Sequence, residues 1–135
     1  MLQPKRRKYR KNFRGKNRGT ALRGTRVAFG DFGLKALEHG WVSDKEIEAA
    51  RKKITFATKK AGKYWVRVFP HKPITKKPVG VKMGSGKGDI KGYVAVVKPG
   101  MVLFEIGGVN LDTAKMAFTK AGHKLSVKST LITKE

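Results

Sequence analysis

The 135-residue chain reads as an α+β protein: a two-layer sandwich with a mainly antiparallel sheet and two helices on one face, plus a basic N-terminal arm and a long Gly/Lys-rich loop. Three observations carry this reading. Two stretches repeat apolar residues at helical spacing behind a good capping residue. Shorter runs alternate as strands do, and they do not take turns with the helices one for one. Lys98-Pro99-Gly100 stands between two of those runs and predicts a hairpin turn.

The elements follow in chain order. Residues 1–26 hold eleven basic side chains and no acidic one. Lys5, Arg6, Arg7, Lys8, Arg10 and Lys11 are followed by Arg14, Lys16 and Arg18, with Tyr9 and Phe13 among them. So little apolar surface does not offset the entropy of ordering, and the segment is expected to be disordered alone. From Thr25 to Leu37 the pattern is strand-like, with Gly30 and Gly33 marking a bulge or bend. Ser43 and Glu46 form a capping box. Ile47, Ala50, Ile54, Ala57 and Ala61 then share a helical face, and Gly62 is the expected stop.

Residues 64–69 alternate Tyr64, Val66 and Val68 against Trp65, Arg67 and Phe69. Residues 70–92 read as one connection, stiffened by Pro70, Pro73 and Pro78 and loosened by Gly80, Gly84, Gly86, Gly88 and Gly92. Runs 93–97 and 101–106 make the expected hairpin. Asn110 caps a second helix, with Leu111, Ala114, Ala117, Phe118 and Ala121 inward and Gly122 closing it. Residues 125–132 form a last strand. The division is a basic RNA-binding arm over 1–24 and a single α+β domain over 25–135 with a protruding loop at 70–92.

Charge decides the partner class. Lys plus Arg is 32 against 9 acidic residues, a formal +23. Self-repulsion of that size opposes compact folding, so something negative compensates it in the working state. Nucleic acid leads and an anionic membrane surface is second. Rings interleaved with Arg and Lys in the arm suit unpaired RNA bases; the alternatives are a solvated tail or a nuclear address. In the long loop Lys72, Lys76, Lys77, Lys82, Lys87 and Lys91 oppose only Asp89, which again fits a polyanion. On the first helix Lys45, Lys52, Phe56 and Lys59 gather opposite the apolar stripe, with Arg51 on its flank. Phe56 there either packs on a ribose or base or tucks under the arm.

Other classes lose support. With no cysteine, thiolate catalysis, disulfides and cysteine-ligated zinc are excluded. No apolar run approaches the roughly 20 residues that span a bilayer, and the basic N-terminus has no apolar segment after it, so it does not read as a secretory signal. A cytoplasmic chain is expected. Gly86-Lys87 is followed by Gly88, so a phosphate-binding Walker loop fails, and Gly84, Gly86 and Gly88 have the wrong spacing for a dinucleotide fingerprint. His39, His71 and His123 are scattered, and the acids form no obvious catalytic pair. Neither an enzyme, a metal, a cofactor nor a small-molecule substrate is expected.

Several motifs together carry a family resemblance. They are Met1-Leu2-Gln3-Pro4-Lys5-Arg6, Phe29-Gly30-x-Phe32-Gly33-Leu34-Lys35-Ala36 and Ile47-Glu48-Ala49-Ala50-Arg51. Val66-Arg67-Val68-Phe69-Pro70, Lys72-Pro73-Ile74-Thr75 and Lys77-Pro78 add to them. The most specific is Met83-Gly84-x-Gly86-Lys87-Gly88 with Tyr93 beyond it. Over nearly its whole length the chain closely resembles bacterial ribosomal large-subunit protein sixteen.

The resemblance implies a structural constituent of the large ribosomal subunit that joins late in assembly. Its implied partners are large-subunit rRNA, neighbouring ribosomal proteins, and A-site tRNA near the peptidyl-transferase centre, with P-site tRNA a further candidate. The cations that the charge pattern offers for rRNA binding are Lys5, Arg6, Arg7, Lys8, Arg10, Lys11, Arg14, Lys16, Arg18, Lys72, Lys76 and Lys77. Those expected near tRNA are Arg51, Lys52, Lys82, Met83, Gly84, Ser85, Gly86, Lys87 and Gly88, together with Phe56, which the helix face and not the resemblance puts forward. The family's loop motif usually begins with arginine where this chain has Lys82, a point charge in place of a bidentate fork. The family's position at Phe56 is more often basic. The competing reading is a non-ribosomal basic nucleic-acid-binding protein.

Overall fold

The computed structural model describes residues 2–6, 8–9, 11–12, 14–76 and 87–134, without the side chain of Asp89. The elements are β1 (Phe32–Ala36), β2 (Gly40–Ser43), α1 (Asp44–Thr58), β3 (Lys63–Val66), β4 (Lys72–Lys76), β5 (Asp89–Val97), β6 (Val102–Gly107), α2 (Leu111–Gly122) and β7 (Ser129–Thr133). The class is α+β, as expected. The strands divide into two antiparallel sheets, ordered β3-β6-β1-β7 and β2-β5-β4, where one mainly antiparallel sheet was expected.

The hairpin at 93–106 is corrected for the same reason. Lys98-Pro99-Gly100-Met101 does turn: Met101 N–H donates to the Lys98 carbonyl at 3.2 Å, and Gly100 has φ +98°. Proline followed by a positive-φ glycine makes a type II turn, which splays the flanking strands instead of matching their twist. The turn therefore carries the chain from one sheet to the other. β5 pairs with β2 and β4, whereas β6 pairs with β1 and β3.

The expected long connection is also narrower than 70–92. Residues 72–76 and 89–92 are strand, and β4 pairs antiparallel with β5, Pro73 lying opposite Tyr93. Proline is tolerated because β4 is the edge of its sheet, where one missing N–H breaks no ladder.

α1 starts where Ser43 predicts, its side chain accepting from Glu46 N–H at 3.1 Å. The reciprocal half of the capping box is diverted: the Glu46 carboxylate accepts from Ser126 N–H at 2.8 Å. The helix stops at Thr58 and not near Gly62, with Lys59 and Lys60 both left-handed at φ 53° and 64°. Gly62 serves a different end, since a Cβ there would lie 2.2 Å from the Gly107 carbonyl oxygen. Ile47, Ala50, Ile54 and Ala57 are buried as predicted, while Ala61 is exposed. α2 is capped by Asn110 and buries Ala114, Ala117, Phe118 and Ala121; Leu111 faces out. The two helices pack on each other, α1 also meeting β2, β3 and β5 and α2 meeting β1 and β7. One apolar cluster joins both helices to both sheets through Leu34, Val42, Val97, Leu103, Phe104 and Ile106.

Candidate nucleic-acid interface

Helical spacing alone forces the outward face of α1. With the alanine and isoleucine stripe buried, Lys52, Phe56, Lys59 and Lys60 stand in solvent, and Phe56 is 74% exposed. They border, with Arg51 and Thr55, an open concavity of about 550 Å³. Lys120 of α2 brings its ammonium 6.0 Å from the Phe56 ring, a contact that only the packing of the helices could reveal. Arg51 is less free than its neighbours. Its guanidinium forks onto both oxygens of Glu48, one turn earlier, and donates to the Tyr64 hydroxyl at 3.2 Å. The hydrogen bond from Arg51 holds the Glu48 carboxyl below its usual range, and Glu48 raises the Arg51 pKa in turn.

A second cationic surface forms where the arm crosses the β2-β5-β4 sheet. The described residues of the arm form no helix or strand, yet Asn17 donates from Nδ2 to the Val97 carbonyl at 2.9 Å and Ala21 N–H to the Pro99 carbonyl at 3.0 Å. The Lys72 ammonium lies 5.1 Å and the Arg14 guanidinium 5.8 Å from the Trp41 ring centroid. Lys72 also donates to the Arg14 carbonyl, and Lys11 to the Lys87 carbonyl at 3.0 Å. Arg14, Lys72 and Lys87 thus come together beside a hollow of about 380 Å³.

The remaining described candidates, Lys5, Arg6, Lys8, Lys16, Arg18 and Lys76, are exposed. Lys11 and Gly88 are half-buried. Arg7, Arg10, Lys77, Lys82, Met83, Gly84, Ser85 and Gly86 lie outside the described residues.

One polar centre was not legible in the sequence. Glu105 on β6 has no exposed surface. Its Oε1 accepts from the backbone N–H groups of Ala28, Phe29 and Gly30 at 3.0, 2.7 and 2.9 Å, and its Oε2 accepts from Arg67. Burial pushes this carboxyl up, but the donors from Gly30, Phe29, Arg67 and Ala28 together hold it below the usual range. Gly30 is required beside it, because a Cβ would sit 2.6 Å from the Ile106 carbonyl oxygen.

Among the described residues no cluster of His, Cys, Asp or Glu could hold a metal ion, and no helix is long and apolar enough to cross a membrane. A basic α+β domain with an arm laid over its sheet has the form of a structural ribonucleoprotein component. Comparison with known proteins makes that particular. Residues 4–132 match the family described as ribosomal protein L16p/L10e. A large ribosomal subunit protein uL16 of Kosmotoga olearia is 58% identical over 98% of this chain and 94% of its own. The protein of the same name in Xanthomonas oryzae pv. oryzae is 53% identical over 99% of this chain and 98% of its own. The chain belongs to the L16p/L10e family, and it is a structural protein of the large ribosomal subunit, not an enzyme. The large subunit is cytoplasmic in bacteria, and the reading as a non-ribosomal basic protein finds no support.

Proposed function

We propose that this ribosomal protein holds large-subunit rRNA with its arm, residues 1–24, and with Lys72 and Lys76 of β4 and the following Lys77. The outward face of α1 then approaches A-site tRNA near the peptidyl-transferase centre, together with residues 82–88. P-site tRNA is the further contact, and assembly of the protein falls late. The observation that carries the tRNA contact is Phe56, a ring left 74% exposed among Lys52, Lys59, Lys60 and Lys120. A ring in that setting stacks on a ribose or base while the lysines neutralise phosphates. Arg51, tied to Glu48 and Tyr64, supplies a fixed positive edge to the same face. In this role the protein positions RNA, and the residues 1–24 and 25–135 act as arm and body.

The test is Phe56→Ala in large subunits reconstituted with the purified variant. A-site tRNA affinity should fall by about tenfold, the order expected for one lost stacking contact. Unchanged tRNA affinity together with unchanged subunit assembly would remove the helix face from the proposal.

A further inference from the structure

Phe29 is, after Phe56, the most exposed ring of the folded body among the described residues, and the α1 face does not include it. It is 61% exposed. Exposed rings on mobile loops usually need no explanation. This one is different because its backbone is fixed at three successive N–H groups by a single buried carboxylate oxygen. Half-buried Trp65 stacks beside it, with ring centroids 6.1 Å apart and planes 23° from parallel. The Arg67 guanidinium lies 5.2 Å from its centroid, and Arg67 also donates to the Arg26 carbonyl at 3.4 Å. Arg26 itself is exposed. An aromatic shelf flanked by the Arg67 guanidinium, with exposed Arg26 next to it through the backbone contact, on a chain of formal charge +23, has the composition of a base-stacking platform.

We infer that Phe29, Trp65, Arg67 and Arg26 form a seat for one unpaired RNA nucleobase, separate from the α1 face. The base adds to the Phe29–Trp65 stack, and Arg26 meets the adjoining phosphate. Glu105 and Gly30 are positioning residues: they hold the shelf still, so that binding does not have to order it. The inference rests on RNA covering the basic surface, as proposed above, and deepens it by naming the group recognised.

The experiment uses the full chain carrying Trp41→Phe, which leaves Trp65 as its single tryptophan. The probes are a hexaadenylate RNA and an abasic ribose-phosphate hexamer of equal charge. Hexaadenylate should quench Trp65 emission and bind about tenfold more tightly than the abasic hexamer. Phe29→Leu should abolish the quenching and reduce the preference, while Phe29→Tyr keeps both. A thermal melt checks that each variant is folded. Equal binding of both hexamers without quenching overturns the seat but leaves general RNA binding standing. Quenching and preference that survive Phe29→Leu also overturn it. Binding of neither hexamer removes the RNA reading of the surface and the seat with it.

Discussion

Among the described residues stand two Arg–Glu pairs whose chemistry is the same and whose surroundings differ. Glu48 and Arg51 sit one turn apart on α1, with side chains 27% and 31% exposed. Glu105 and Arg67 join neighbouring strands and the loop before β1, with Glu105 fully enclosed and Arg67 20% exposed. Water competes for the first pair, so its geometry adds little to stability. The second carboxylate has no water to return to. Three backbone N–H groups and a guanidinium replace that water, and losing any of them leaves a buried charge short of partners. A salt bridge is therefore informative through what else touches it. The exposed pair shapes a surface, and the enclosed pair fixes a loop.

Mutation should separate them sharply. Glu105→Ala strips four donors at once and should cost about 3–5 kcal/mol in chemical denaturation, the range for breaking a buried pair. A loss below 1 kcal/mol would mean that the loop at 28–30 re-solvates and that the contrast is false. Acid titration should sharpen the difference next. The folded-state pKa of Glu105 lies below the ordinary 4.5, so its stabilisation is complete above that value. It is lost as pH falls through the lower folded value. An acid-unfolding midpoint below pH 4.5 in the parent, with a flatter profile in Glu105→Gln, is the expected result. Glu48 is shifted in the same direction, mainly by Arg51, but its exposure screens the effect. Accordingly Glu48→Gln should change stability by no more than about 0.5 kcal/mol. A larger loss would show that the Arg51–Tyr64 contact depends on Glu48.

The same contrast between local and distant partners explains what could be read from the sequence. α1 and α2 were legible because their caps, Ser43 to Glu46 and Asn110 to Thr113, act over three residues. The place of Phe56 on the outward face followed from helical spacing alone, whereas its exposure needed the structure. Glu105 was opaque, since its partners Ala28, Phe29 and Gly30 lie 75 to 77 residues away and no local pattern announces them. Lys120 beside Phe56 needed the helix packing. The separation into two sheets was hidden for a subtler reason. A Pro-Gly turn between two alternating runs looks like a hairpin, and only its type decides that the strands part company. β4 was missed because its prolines and lysines resemble a loop, and an edge strand tolerates both.

Lys59 and Lys60 stand side by side in the left-handed region. Glycine would hold that conformation with less strain, and each lysine forgoes on the order of 1 kcal/mol by standing there. In return, two ammonium groups gather at the negative end of the α1 dipole, beside Phe56. A chain optimised for heat resistance alone would end this helix with glycine. This one ends it with two lysines, which suits the phosphate-facing role proposed for this surface.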